Sequence, residues 1–333
     1  MRTTLFRRLC LLGTLIALCV VVLGAWVRLS DAGLGCPDWP GCYGHLTVGQ
    51  AVENADHANA AFPERPLEAE KALKEMIHRY LASGLGLLII AIAVVAWKNR
   101  ADPAQPQRLP GFLVLLVVFQ GLLGMWTVTL LLKPAIVAAH LAGGLTTMAL
   151  LWWMALKVDR TTRPTAEGGL RTLALLGLLV LAVQILLGGW VSSNYSALAC
   201  PDFPTCQKSF WPAMDFKDAF VLWRGLGIDY EGGVLDHPAR VAIHYTHRLW
   251  GVLTAIVLGV LAWKAVRTGQ SRAVRNAGMA LAAVLVAQWI LGPVMVLQTL
   301  PLELATAHNG VAALLLLSTV ALIRFLWVPK GLR

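Results

Sequence analysis

Long apolar runs alternate along the chain with shorter polar segments. Eight runs are long enough to cross a bilayer, which takes about 20 residues of helix. They lie near Cys10–Leu29, Glu75–Trp97, Gly111–Leu131, Ile136–Leu156, Leu173–Val191, Ile243–Trp263, Gly278–Leu297 and Leu304–Leu326. The pattern predicts an all-α polytopic membrane protein. Arg7 and Arg8 precede the first run as in a signal peptide, but the run is long and no A-x-A site follows it, so it is read as a membrane anchor.

Composition agrees. Of the 333 residues, 57% are hydrophobic and 14% charged, whereas a soluble domain carries about a quarter charged. The net charge of +10 comes without a basic stripe interleaved with aromatics, so it points to membrane lipid rather than nucleic acid. With both termini placed in the cytoplasm, 17 of the 28 Lys and Arg fall in the inner segments: Arg2, Arg7, Arg8, Lys98, Arg100, Arg108, Lys157, Arg160, Arg163, Arg171, Lys264, Arg267, Arg272, Arg275, Arg324, Lys330 and Arg333. The excess of inner positive charge predicts that orientation.

The chain also repeats itself. Cys36-Pro-Asp-Trp-Pro-Gly-Cys42 matches Cys200-Pro-Asp-Phe-Pro-Thr-Cys206, and Trp26 and Trp190 precede them at an offset of 164. Glu75-Met-Ile-His78-Arg79 aligns with His244-Tyr-Thr-His247-Arg248 at 169, and Gln120/Gln288, Gly124/Gly292 and His140/His308 pair at 168. Near-constant offsets mark an internal duplication. Residues 1–160 and 161–333 are therefore read as two four-helix bundles, related by a pseudo-twofold axis along the membrane normal. Each half carries one long outer segment, about 30–74 and 192–242. The cysteine pairs fall there, in a compartment where disulfides persist. A local bond, Cys36–Cys42 and Cys200–Cys206, is the first reading, and a redox or metal site the alternative. Cys10 and Cys19, inside the first run, read as apolar packing.

His45, His57 and His237 fall in outer segments and read as solvated. His78, His140, His247 and His308 lie near the outer ends of the even-numbered helices, spaced 62 and 61 apart within each half. One such histidine alone would be an ordinary helix–helix hydrogen bond. Four at matching depth suggest two pairs of axial ligands for haem iron. Gly143, Gly144, Gly251 and Gly310 follow these histidines and would let a flat macrocycle approach the backbone. Arg79 and Arg248 adjoin ligand histidines where a guanidinium can pair with haem propionates or anchor the interface. Glu75 shares a helix face with His78, and at that position the second half has His244.

At these residues the chain resembles the haem A synthase family, which converts haem O to haem A. The E-x-x-H-R signature at Glu75–Arg79, the histidines His140, His247 and His308, and the cysteine-bearing outer segments all match, over essentially the whole length. The stretch Trp223–Asp236 resembles the proteobacterial branch, although this segment is longer than in compact members of the family and its role is open. The resemblance implies an oxidoreductase of the bacterial inner membrane that serves cytochrome oxidase assembly. In it, His247 and His308 hold a resident haem b, while His78 and His140 flank the haem O substrate. Glu75 handles protons as a porphyrin methyl becomes a formyl. It also implies haem O synthase and oxidase assembly proteins as partners, and leaves homo-oligomerisation open. A bis-His b-type cytochrome and a haem transporter are the competing classes. The first has little use for Glu75, and the second would carry a Trp-rich outer segment beside the histidines.

Overall fold

An apolar run in lipid has no water to satisfy its amides, so it closes its hydrogen bonds within itself as a helix. The computed structural model describes residues 2–103, 105–156 and 168–327. In it, all eight apolar runs are helices of membrane-crossing length and hydropathy. In chain order the elements are α1 (Arg2–Leu29), two short helices α2 (Val48–Glu53) and α3 (Ala55–Ala61), α4 (Ala69–Lys98), α5 (Arg108–Thr129), α6 (Pro134–Ala155), α7 (Gly168–Ser193), the short α8 (Phe216–Ala219), α9 (His237–Thr268), α10 (Arg272–Leu297) and α11 (Leu302–Leu326). Of the basic residues used to orient the chain, Lys157, Arg160, Arg163, Lys330 and Arg333 lie outside the described residues.

Local chemistry sets several boundaries. Proline stands in the first turn of α6 and of α9, where a missing N–H costs nothing. The Ser271 side chain accepts from Val274 N at the start of α10, satisfying one orphan amide. Every long helix starts earlier than its apolar run, α4 and α9 each by six residues. Glu75 and His244 therefore sit inside a helix instead of at its start, and both are buried.

The first half closes as a ring in which α1 packs on α4, α4 on α5, α5 on α6 and α6 on α1; α7, α9, α10 and α11 do the same in the second. The halves meet through α1 on α11, α6 on α7 and α6 on α11. Exchanging the halves turns each of these packed pairs into a packed pair, α6 on α11 into itself. The duplication reaches the backbone as well. Asp31 and Tyr195 are left-handed residues after α1 and α7, and each is followed by the same closing bond, Ala32 N to Val27 O (3.0 Å) and Ser196 N to Val191 O (2.9 Å). Leu131–Leu132 and Thr299–Leu300 make matching left-handed pairs in the α5–α6 and α10–α11 turns.

Cys10 is buried between helices, as expected, whereas Cys19 is exposed on the outer face of α1. Packing in the interior explains the first and not the second.

The long segment before α9 has a structural partner. Tyr230 is buried against Leu34, Val128 and Leu132 of the first half, and its amide donates to Leu131 O at 3.1 Å. Lys133, wholly buried, donates to the Gly225 carbonyl, and its ammonium lies 3.7 Å from the centre of the Trp223 ring. Arg65 pairs with Asp229 at 2.6 Å and Glu231 at 2.8 Å. Residues 223–231 thus form a strap from the second half across the end of the first.

Candidate functional site

Both cysteine pairs are bonded as expected, Cys36–Cys42 and Cys200–Cys206. Each closes a tight loop whose aspartate caps the next turn. Asp38 accepts from Tyr43 N (2.6 Å) and Gly44 N (2.8 Å). Asp202 accepts from Gln207 N (2.6 Å) and Lys208 N (2.9 Å). The Thr205 hydroxyl, aided by those amides, holds the Asp202 carboxyl below the usual carboxylate range.

The arginines of the two matching motifs grip these loops. Arg79 donates through Nη1 to the Asp38 and Gly41 carbonyls (3.0 and 2.5 Å). Arg248 donates to the carbonyls of Asp202 (2.8 Å), Thr205 (2.9 Å) and Cys200 (2.7 Å). A disulfide loop is thereby fixed onto the helix that carries His78 in one half and His247 in the other. Glu75 completes the first junction. Its Oε1 accepts from Arg79 Nη2 at 2.6 Å and its Oε2 from Cys36 N at 2.9 Å. In the second half His244 Nε2 accepts from Arg248 Nε at 3.2 Å. One half thus has a buried carboxylate–guanidinium pair where the other has an imidazole.

His78, His140, His247 and His308 all line one continuous cavity of about 910 Å³ that reaches into both halves; Glu75, Arg79, His244 and Arg248 border it. Each histidine stands 6 to 10 residues beyond the first residue of its helix, which is a depth of roughly 9–15 Å from one end of the bundle. Each ring rests on a glycine of the preceding long helix. A Cβ on Gly24 would lie 2.9 Å from His78 Cε1, one on Gly188 3.2 Å from His247 Cε1, one on Gly292 3.4 Å from His308 Cε1, and one on Gly124 3.5 Å from His140 Cε1. Gly124 and Gly292 stand out in the sequence as repeat landmarks, but their task as seats appears only when the helices pack.

The glycines that follow the histidines serve different neighbours. Gly143 accommodates the Gln120 side chain, Gly251 the Gln184 amide and Gly310 a Val22 methyl. Gln184 is a site residue that sequence comparison passes over, because its counterpart at the offset of 164 is Val20. Its Nε2 lies 3.2 Å from His247 Nδ1, and Gln288 Nε2 lies 3.1 Å from His308 Nε2. Of the other histidines, His57 and His237 are exposed and His45 is half-buried.

These residues fit haem. Imidazoles come from two helices in each half, their seats are glycines, and all four rings border the cavity. Among the described residues no cluster of three or more His, Cys, Asp or Glu could hold a bare metal ion, so a single imidazole per helix suits an iron whose equatorial ligands come from a macrocycle.

A family model described as COX15-CtaA, cytochrome oxidase assembly protein, matches residues 7–320. The chain is 45% identical over 98% of its length to a heme A synthase of Shewanella oneidensis, covering 97% of that protein. It is 30% identical over 97% of its length to a heme A synthase of Rhizorhabdus wittichii, covering 92% of it. A heme A synthase of Halalkalibacterium halodurans is 28% identical over 77% of the chain and 76% of its own length.

Proposed function

The chain belongs to the COX15-CtaA family of cytochrome oxidase assembly proteins, and from that premise we propose that it is a membrane oxidoreductase that converts haem O to haem A, oxidising a porphyrin methyl group to a formyl. The observation that carries this reading is the set of four glycine-seated histidines around one cavity, in a chain similar over nearly its whole length to heme A synthases.

In this reading the N-terminal half, residues 1–160, takes haem O between His78 and His140. The C-terminal half, residues 161–333, keeps a resident haem b between His247 and His308. Bound haem supplies redox-active iron, and the protein supplies ligands, orientation and exclusion of water. Glu75 is the group suited to proton transfer beside the substrate. Its Oε1 and Oε2 are held by Arg79 and the Cys36 amide, so the carboxylate is positioned before substrate arrives. The second half has an imidazole there and hosts no bond-making step. A pure electron carrier would have no use for that difference. Arg79 and Arg248 border the cavity while serving the loops; pairing with a haem carboxylate would exchange one of their carbonyl bonds.

The protein lies in the bacterial inner membrane with both termini cytoplasmic, receives haem O from a haem O synthase and passes haem A toward oxidase assembly. Extracting pigment from the purified protein tests the activity. Haem A, or the alcohol that precedes it, is the expected finding beside haem b. Two haems b and nothing else would leave a cytochrome.

A further inference from the structure

We propose that the seam between α4 and α5 is a lateral portal through which the substrate haem passes between lipid and cavity; this rests on the reading of the N-terminal half as the substrate site. The cavity wall contains residues that also face outward. Leu87 on α4 and Val118 on α5 line the cavity and are 70% and 60% exposed on the surface of the bundle. Between them the cavity is bordered by Ser83, Gly86 and Gly121. The wall at this seam is therefore one side chain thick, as it also is at Val252 and Trp289 of the other half, and beyond it lies whatever surrounds the helices, which for helices this apolar is the lipid.

Gly121 decides the matter. Glycine inside a helix costs about 1 kcal/mol relative to alanine, and in membranes it is usually kept so that two helices can approach closely. Here a Cβ at 121 would meet nothing within 4 Å, and one on Gly86 only Val117 at 3.7 Å. Gly121 therefore leaves space at the cavity edge; it does not serve helix packing. The duplicated half shows the seam filled. At the offset of 168 Gly121 becomes Trp289, and at 169 Gly86 becomes Ala255 and Ser83 becomes Val252. Trp289 lines the same cavity and is 45% exposed, so its indole spans the wall from inside to outside. The α9–α10 seam is also packed along more of its length than α4–α5. A resident cofactor benefits from a closed wall. A substrate that must arrive and leave as a large apolar macrocycle needs an open one.

The test measures haem uptake and loss instead of turnover. Protein in lipid nanodiscs, carrying its resident haem, is mixed with haemin, and binding of a second equivalent is followed by absorbance. Gly121→Trp is expected to keep the resident haem and to slow uptake about tenfold or more, while Gly121→Ala behaves as the parent. Conversely, Trp289→Gly is expected to lose resident haem to apomyoglobin about tenfold faster. Should Gly121→Trp fail to fold, Gly121→Cys in a Cys10→Ser, Cys19→Ser background is purified and then alkylated with a bulky lipid-soluble maleimide. Slowed uptake only after alkylation supports the portal. An unreactive cysteine, or unchanged uptake by either blocked form, overturns it. A parent that takes up no second haem would instead sink the two-site reading, and the portal with it.

Discussion

The His247 ring rests on Gly188: a methyl group added to that glycine would stand 3.2 Å from the ring carbon Cε1. The same relationship joins Gly24 to His78 at 2.9 Å, so each half sets the tilt of an imidazole by withholding one side chain. Overfilling such a seat forces shifts that cost about 1–3 kcal/mol. Gly188→Val is expected to reduce resident haem b, and Gly24→Val to spare it while removing haem A. Haem extracted per mole of protein is the measurement, and unchanged content in Gly188→Val would mean that the seat is incidental.

If the histidines are the proposed axial ligands, loss of one of two separates the halves more directly. His247→Ala and His308→Ala are expected to abolish the low-spin haem b spectrum. His78→Ala and His140→Ala should keep most of it and make no haem A. Equal loss of haem b from all four variants would support a symmetrical cytochrome.

Glu75→Gln keeps size and the bond from the Cys36 amide, but it cannot take a proton and loses the charge paired with Arg79. Proton-transfer help of this kind is worth roughly 10²–10⁴ in rate. We expect resident haem b and haem O binding to persist and haem A formation to fall by that factor. His244→Gln should cost far less. Because Glu75 also braces a loop, peptide mapping of the Cys36–Cys42 bond in Glu75→Gln distinguishes lost chemistry from a loosened loop. Turnover near normal would remove the acid from the mechanism.

The strap makes a prediction of its own. Lys133 is buried with the Gly225 carbonyl and the Trp223 and Tyr230 faces around its charge, and a desolvated cation–π contact is worth about 2 kcal/mol. Lys133→Ala should free residues 223–231, so that limited proteolysis cuts there before anywhere else in the folded protein. Cleavage no faster than in the parent would show that Arg65 and Tyr230 hold the strap without it.

Orientation can be read with reporter fusions after Arg333 and within 161–169. Both are expected to report cytoplasm, since short loops rich in Lys and Arg stay inside. A periplasmic signal at either would sink this topology.

Much of this protein was determined by its sequence alone. Eight long apolar runs leave helices as the sole way to satisfy the backbone in lipid, and the repeated Cys-Pro-Asp, E-x-x-H-R and late-histidine landmarks exposed the duplication and the four ligand candidates. Those signals are local or periodic, and a one-dimensional string preserves them. What only the tertiary structure decided concerns which residues meet. Gly24 and His78 are 54 positions apart, and Lys133 and Gly225 are 92 apart; no local propensity records either contact. Of the glycines that follow the histidines, Gly144 and Gly251 line the cavity, whereas Gly143 and Gly310 face Gln120 and Val22, because adjacency along a helix does not say what the facing helix presents. Arg79 and Arg248 were legible as charges beside ligand histidines, yet the disulfide loops folded back over them supply the carbonyls they grip. A glycine reads the same in sequence whether it admits a ring, a neighbouring helix or nothing at all, and only packing in three dimensions separates Gly24 from Gly121.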